Sequence, residues 1–182
     1  LNLFKSSKFI PDKYKKDKNK LVKFYRNRGY RDAAIVKDSV YQVEDDRVKI
    51  DITVNEGEQY YFGDITWQGN TEYSTSFLNT VLSIEKGEIY SPKKLQTNLR
   101  FNQRGLDISS LYMDNGFLFF NVQPVETKLY NDTVDLEIRI TEGKQATIDE
   151  ITVSGNTKTS DHVILRELRT RPGDKFSRSD II

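Results

Sequence analysis

The sequence repeats itself at a spacing of 86 residues, from 48 to 134, and this recurrence limits the chain to an array of small, similar units. Residues 48–70 (VKIDITVNEGEQYYFGDITWQGN) recur as residues 134–156 (VDLEIRITEGKQATIDEITVSGN). In both copies aliphatic and polar residues alternate up to Glu-Gly, and a second short alternating run then ends at Gly-Asn. Alternation with a period of two predicts strands with one buried face. One unit therefore closes with a strand, and the next unit opens with one.

Helix signals precede and separate these strands. The first helix is predicted to begin at Ile10-Pro11 and to stop at Gly29, because proline favours a helix start and glycine the position just past its end. A strand over 30–40 and a turn at 44–47 then lead into the strand at Val48. Residues 1–58 therefore hold a helix and two strands, which form the back half of one unit.

Residues 59–144 are predicted to form one entire unit. The apolar face of its second helix slips between Leu99 and Ile108, which predicts a break at 102–105 and a restart at Asp107. Residues 145–182 hold the front half of a third unit. The predicted strands of these two units are 62–68, 117–125, 134–141 and 148–154, and a helix is predicted over 160–169. The order of the unit is β-α-α-β-β.

Composition excludes several classes of protein. No Cys is present among the 182 residues, so the chain has no disulfide framework, no thiolate nucleophile and no Cys-based zinc site. The longest apolar run, residues 117–120, is far shorter than the roughly 20 residues of a membrane helix. Because the chain begins at Leu1 without Met or a leader, we expect it to be a piece of a longer protein.

Charge is concentrated at the start of the chain, although the net charge is only +1. Residues 1–31 hold 11 Lys or Arg against Asp12 and Asp17. Two interpretations stay open: a solvated helix face, or a nucleic-acid-binding module built on the basic helix 13–31 with Tyr14, Phe24 and Tyr25. The corresponding helix 91–116 holds four basic and two acidic residues, so the basic charge is not a property of the repeat.

No pattern of residues in the sequence indicates catalytic or metal-binding chemistry. His162 is the single histidine and lacks partners for acid–base catalysis or metal binding. Carboxylates near Asp45 and Asp132 fall at predicted hairpin turns, and their spacing does not supply the ligands of a calcium site. We therefore predict no catalytic residue, no metal and no cofactor, and a protein that is not an enzyme.

The motifs that recur in register resemble those of the polypeptide-transport-associated (POTRA) domains of the BamA family of outer-membrane β-barrel assembly factors. They are Glu-Gly after the third strand, Gly-Asn after the first, and Gly-aromatic after the second helix (Gly29-Tyr30 and Gly116-Phe117). Residues 159–168 (TSDHVILREL) are similar to the opening of the last such domain before the barrel. The resemblance implies that the chain holds the third, fourth and fifth repeats: a partial repeat over 1–58, a complete one over 59–144 and a partial one over 145–182.

The resemblance also implies a fold and a function. The fold is α+β: each repeat is a three-stranded mixed sheet in the order first, third, second, covered by two helices. The function is that of a periplasmic, chaperone-like scaffold in outer-membrane protein assembly. Its implied partners are unfolded outer-membrane β-barrel polypeptides and accessory lipoproteins, and it joins the membrane through a C-terminal barrel absent from this chain. Nucleic acid is not among these partners.

If the third strand is central, the second strand is an open edge to which a partner strand can be added. We therefore expect the binding edge at Ala33, Ala34, Ile35, Val36, Lys37 and Asp38, with Arg31, Lys37 and Asp38 as charged guards against indiscriminate pairing. The short links between repeats predict limited bending, at Gly57 and Gly143. The repeat register further predicts that Ile65 and Ile151 occupy equivalent buried positions.

Overall fold

The structure is a computed structural model that describes residues 8–102 and 104–181. Its elements follow the predicted order of helix, strand and strand, then a complete β-α-α-β-β unit, whereas the described part of the last segment contains two short helices without the predicted strand. They are α1 (Pro11–Arg26), β1 (Ala34–Glu44), β2 (Arg47–Asn55), β3 (Tyr61–Gln68), α2 (Thr75–Leu82), α3 (Pro92–Gln96), a π-helical turn (Thr97–Phe101), α4 (Ile108–Met113), β4 (Asn121–Tyr130), β5 (Thr133–Thr141), α5 (Asp161–Glu167) and α6 (Arg178–Ile181).

The complete repeat contains a three-stranded mixed sheet in the order β3-β5-β4. The central strand β5 is parallel to β3, with Phe62 opposite Val134, and antiparallel to β4, with Val122 opposite Ile140. Since β3, β4 and β5 are the first, second and third strands of the repeat, the predicted order of first, third, second is confirmed. The α+β class is confirmed with it.

One face of this sheet forms the core under the helices. The alternating residues of β5 are all buried, and they contact apolar side chains of α2, α3 and α4. Tyr112 on α4 lies at the centre, with its ring stacked 4.2 Å from that of Phe120. The members of this core on β5 and the helices are Val134, Leu136, Ile138, Ile140, Leu78, Leu82, Leu95, Leu99, Ile108 and Tyr112.

The predicted break in the second helix is present. After α3 the chain makes a π-helical turn, leaves the helix at Asn102, and restarts at α4. Asp107 is the N-cap of α4: its carboxylate accepts from the backbone N–H of Ser110 at 2.9 Å and from that of Asn102 at 3.2 Å. One buried side chain therefore caps the new helix and also binds the chain leaving the old one.

The second strands begin four residues later than predicted, at Ala34 and Asn121 rather than 30 and 117. The reason is a turn that follows the glycine in both repeats. Tyr30 N–H donates to Tyr25 and Ala33 N–H donates to Tyr30, and the same two hydrogen bonds recur 87 residues later. Backbone groups used in this turn are not available to the sheet.

The first repeat packs α1 on the hairpin β1–β2, which leaves the alternating face of β2 uncovered. Val48, Ile50 and Ile52 are 47%, 40% and 37% exposed, whereas their counterparts on β5 are buried. The sequence pattern is the same in both strands. The burial differs because no first strand or first helix covers β2 among the residues that the structure describes.

The third repeat is less regular than predicted. The strand expected at 148–154 is not formed, and Thr147 makes only an isolated bridge to Lys175. In the second repeat the first strand pairs with the third, and the described part of the chain offers 148–154 no such partner. Ile65 and Ile151, predicted to occupy equivalent buried positions, are both half-buried, so they are alike in burial but less buried than predicted. Within the described ranges, no helix is long and apolar enough to cross a membrane.

Candidate strand-binding edge and the seams between repeats

The predicted binding edge falls on β1, which is paired with β2 on one side and has no partner strand on the other in the described structure. Ala34, Ile35, Lys37 and Asp38 pair with residues of β2. Ala33 lies outside the strand: it is fully buried and its N–H is bonded to Tyr30 in the turn. The candidate edge therefore starts one residue later than its predicted limit.

A β-bulge divides this edge. The pairing register shifts between Ile35 and Lys37, so Val36 is the extra residue, and a second shift occurs between Gln42 and Glu44. Between the shifts, residues 37–42 pair continuously with 48–53. In an antiparallel ladder every second residue directs its N–H and C=O away from the paired strand. The uninterrupted open edge is thus Lys37 to Gln42, displaced towards the middle of β1.

Two of the three predicted guard residues have other partners. Asp38 lies under α1, where it accepts from Lys18 Nζ at 2.7 Å and from the Tyr14 hydroxyl at 3.2 Å. The hydrogen bond from Lys18 lowers the pKa of the Asp38 carboxyl. Arg31 binds Glu126 of the next repeat. Lys37 is exposed on β1, and its role as a guard stays a prediction.

The corresponding edge of the second repeat, β4, is less suited to pairing. Pro124 lies within its continuous stretch, residues 121–126, and proline has no N–H to donate. A register shift between Glu126 and Lys128 follows directly. β1 carries no proline, so the two second strands differ in what they offer a partner.

The seams between repeats are built from the same contacts. The N–H of Tyr60 donates to the carbonyl of Gly29 at 2.8 Å, and the N–H of Ala146 donates to that of Gly116 at 2.7 Å. Side-chain amides repeat as well: Gln59 bonds the Arg28 carbonyl at 2.8 Å, and Gln145 bonds that of Asn115 at 3.1 Å. We call this set of contacts the seam clasp. Glycine follows the second helix in both repeats because φ is +92° at Gly29 and at Gly116, a conformation that favours glycine.

A side chain of each repeat also caps a helix of the next. Asn27 Oδ1 accepts from the N–H of Lys93 at 3.0 Å, at the start of α3. Asp114 Oδ1 accepts from the N–H of Ser179 at 2.8 Å, at the start of α6. The first-turn N–H groups of a helix have no partner within the helix, so this contact satisfies a donor in the neighbouring repeat.

The predicted hinges lie beside these clasps. Gly57 and Gly143 follow β2 and β5, and both have positive φ, 71° and 74°. A Cβ built on Gly143 would meet the Cβ of Phe119 at 3.3 Å, and one on Gly57 would meet that of Asp32 at 3.6 Å. Bending at these two positions stays a prediction.

The first seam carries an additional group of polar side chains that the sequence reasoning missed. Glu126 on β4 accepts from Arg31 at 2.6 Å and from the Tyr90 hydroxyl at 2.7 Å, and the Tyr60 hydroxyl donates to Asp32 at 2.9 Å. We call these five residues the seam cluster. All of them except Tyr60 line a cleft of 340 Å³ between the repeats. The positions equivalent to Arg31 and Asp32 are Leu118 and Phe119, so the repeat pattern carried no signal for the cluster.

The contacts within the seam cluster shift the pKa values of its own side chains. Partial burial raises the pKa of Glu126, but the hydrogen bonds from Arg31 and Tyr90 outweigh it, and the net pKa is lowered. The bond to Glu126 raises the pKa of Arg31. Burial, and then the bond to Glu126, raises the pKa of Tyr90. At neutral pH the cluster therefore holds a charged Arg31–Glu126 pair with a neutral phenol beside it.

The basic helix α1 does not present its aromatic residues as a stacking platform for bases. The Tyr14 hydroxyl is bonded to Asp38, and Tyr25 packs edge-on against Tyr30. The ring of Phe24 is covered by the Arg28 guanidinium at 3.5 Å. In the part of the chain that the structure describes, no group of His, Cys, Asp or Glu could hold a metal ion.

Tandem β-α-α-β-β units joined by a recurring clasp define a modular repeat protein. A model of the POTRA family, described as surface antigen variable number repeat, matches residues 1–57, 60–143 and 146–182. The chain therefore belongs to the POTRA family.

The chain is similar over nearly its whole length to part of longer curated proteins. The chain is 31% identical over 187 residues to the outer membrane protein assembly factor BamA of Neisseria meningitidis serogroup B, covering 98% of the chain and 22% of that protein. It is 29% identical over 183 residues to BamA of Neorickettsia risticii, covering 100% of the chain and 24% of that protein. The chain thus spans less than a quarter of the length of these curated relatives.

A solved structure has the same fold. The crystal structure of Haemophilus influenzae BamA POTRA3-5 aligns with a TM-score of 0.66 at 23% identity, covering 97% of this chain and 68% of that one. The fold of the described repeats is therefore that of POTRA domains.

Proposed function

We propose that this chain is part of the periplasmic arm of an outer-membrane protein assembly factor, corresponding to the third to fifth repeats of that arm. The proposal is supported by the family membership and by the relatives, which are named as assembly factors. Within this role, the chain binds extended segments of unfolded outer-membrane proteins, or of accessory subunits, by strand addition at β1.

The observation that carries the proposal is the open edge of β1. Residues 37–42 form a continuous run of paired backbone whose outer side has no partner in the described structure. β2 also has an open side, but its counterpart β5 pairs there with the first strand of its own repeat. In the complete repeat, therefore, the outer side of the second strand is the side left unpaired next to the third strand's hairpin partner, and the second strand of the first repeat is β1.

Strand addition suits a client that is unfolded and varied in sequence. Its affinity comes from backbone hydrogen bonds, so many client sequences are accepted, and alternate side chains supply what selectivity there is. Exposed Val36, Val40 and Val43 lie along β1 and provide apolar contacts for such side chains. The exposed Lys37 keeps the edge from pairing with copies of itself.

The experiment is a titration, followed by NMR, with a synthetic peptide of about ten alternating apolar and polar residues, the length of an outer-membrane strand. We expect the amide shifts to cluster on residues 37–42. Shifts that are equal on β1 and β4 would contradict the preference for β1, and the absence of binding would overturn the proposal.

Two adjacent proline variants make the test specific. Because neighbouring residues direct their N–H groups to opposite sides, one of Ser39→Pro and Val40→Pro removes an outward donor and the other removes a donor to β2. The outward variant is expected to keep the hairpin folded and to lose most of the peptide affinity. A variant that stays folded and binds as well as the parent would place the binding surface elsewhere.

A further inference from the structure

We propose that the second repeat positions the binding strand of the first, with Arg31 and Glu126 as the positioning residues. This inference rests on the function proposed above, because it concerns the same strand. It assigns to the seam cluster a role that goes beyond holding two repeats together.

The geometry that carries the inference is the turn directly before β1. Residues 29–33 form this turn, and the second repeat contacts it at three points: the Gly29 carbonyl, the Asp32 carboxylate and the Arg31 guanidinium. Ala34, the first residue of β1, follows at once. The start of the binding strand is therefore held from outside its own repeat.

The position of this anchor matters because β1 has few other restraints at that end. Its pairing with β2 is interrupted at Val36, only two residues into the strand. A bulge leaves a residue unpaired and disrupts the ladder locally. The segment from Ala34 to Val36 thus depends on the turn before it, and through the turn on Glu126.

The Arg31–Glu126 pair is suited to this task by its chemistry. The side chains are 33% and 38% exposed, so solvent screens the charges only in part. Glu126 also accepts from Tyr90, which lies at the start of the segment leading to α3 and is 4% exposed. The carboxylate is therefore fixed by its own repeat before it binds Arg31. Arg26, Asp32 and Tyr60 are the other titratable groups that line or adjoin the cleft.

The second seam shows that the clasp does not require this pair. There the clasp and the helix cap are both present, although Leu118 and Phe119 replace Arg31 and Asp32, and both are exposed. The clasp joins repeats in general, whereas the charged pair is specific to the seam beside β1.

The test uses Arg31→Glu, Glu126→Arg and the double variant with both charges exchanged, in the full 182-residue chain. Two readouts need no peptide: amide hydrogen exchange in β1, and the distance distribution between spin labels on the first two repeats. Because the chain has no Cys, labels are placed uniquely at the exposed positions of Lys16→Cys and Gln68→Cys.

Each single variant is expected to speed exchange at residues 34–37 about 3- to 10-fold, the range for one ordinary hydrogen bond, because the partly exposed pair is weakened by solvent. It should also broaden the distance distribution, and the exchanged pair should reverse both changes. Unchanged exchange in the single variants, or no recovery in the double variant, would overturn the inference. If both readouts respond but no peptide binds, the positioning stands and the strand-addition function fails.

Discussion

At the scale of single residues, Glu142 explains why Glu-Gly ends the third strand of a repeat. Its carboxylate accepts from the backbone N–H groups of Thr71 and Glu72, at 2.8 and 2.9 Å, and from the Tyr112 hydroxyl at 3.0 Å. One side chain therefore ties the turn after β3 and the helix α4 to the end of β5. In the first repeat, burial and then the nearby Glu56 raise the pKa of Tyr25, the residue equivalent to Tyr112.

Replacing Glu142 with Gln is expected to destabilise the second repeat. The amide oxygen of Gln can replace Oε1, which accepts all three of these hydrogen bonds, but it carries no charge, and the NH₂ group replaces the oxygen that binds the Thr71 hydroxyl. We expect the free energy of unfolding to fall by about 1–2 kcal/mol, because hydrogen bonds to a charged acceptor are stronger than those to a neutral one. Urea unfolding followed by circular dichroism measures this, and the exposed Glu150→Gln serves as the matched control.

The same variant is expected to change the pH dependence of stability. Burial raises the pKa of Glu142, but the hydrogen bonds it accepts outweigh this, so its pKa lies below the ordinary 4.5. Its stabilising contribution is present above that value and is lost as the pH falls through the lowered pKa. The stability difference between parent and variant should therefore shrink below pH 4.5. A difference that is constant with pH would contradict this assignment.

At the scale of elements, the sequence predicted those features that depend on neighbouring residues. The slip of the apolar face between Leu99 and Ile108 predicted the broken helix, because the period of a helix is a local property. The start of β1 was predicted too early, since alternation of side chains does not reveal that the backbone of 30–33 is used in a turn. The bulge at Val36 was missed for the same reason.

The break in the second helix should depend on one side chain. Asp107→Ala removes an acceptor that serves Asn102, the N–H of Ser110 and its hydroxyl, and the site is 1% exposed. We expect a loss of about 1–2 kcal/mol in unfolding free energy, as for other N-caps. Thermal unfolding gives the value, and Asp107→Asn, which keeps an acceptor oxygen, should lose less. Equal stability of the parent and both variants would show that the Asp107 cap does not stabilise the broken helix.

The seam cluster could not have been predicted from the sequence. Arg31 and Glu126 are 95 positions apart, and the distance between them is not a multiple of the repeat. Their equivalents elsewhere in the chain are not charged partners, so the recurrence gives no hint of the pair. The recurrence did indicate the family, because its motifs have structural roles. The glycine after the second helix is part of the seam clasp, and the Glu-Gly motif is part of the repeat core.

At the scale of the whole molecule, the recurring clasp makes successive repeats dock in the same way. The Gly29–Tyr60 and Gly116–Ala146 hydrogen bonds join the end of the second helix in one repeat to the opening segment of the next, and the caps from Asn27 and Asp114 add a second point. Two contacts at separate points restrict rotation more than a linker alone would. The repeats are thus expected to behave as a jointed arm with a preferred shape.

The glycine of the clasp provides the last prediction. At Gly29 φ is +92°, and an added Cβ would lie 2.8 Å from the Tyr60 carbonyl oxygen, so Gly29→Ala should force the first two repeats apart. Gly87 is the matched control: its φ is +87°, but a Cβ there meets nothing within 4 Å, so Gly87→Ala carries the backbone strain without the clash. We expect NMR relaxation to show the first repeat tumbling more independently in Gly29→Ala only. Equal tumbling in both variants would mean that the clasp does not set the angle between repeats.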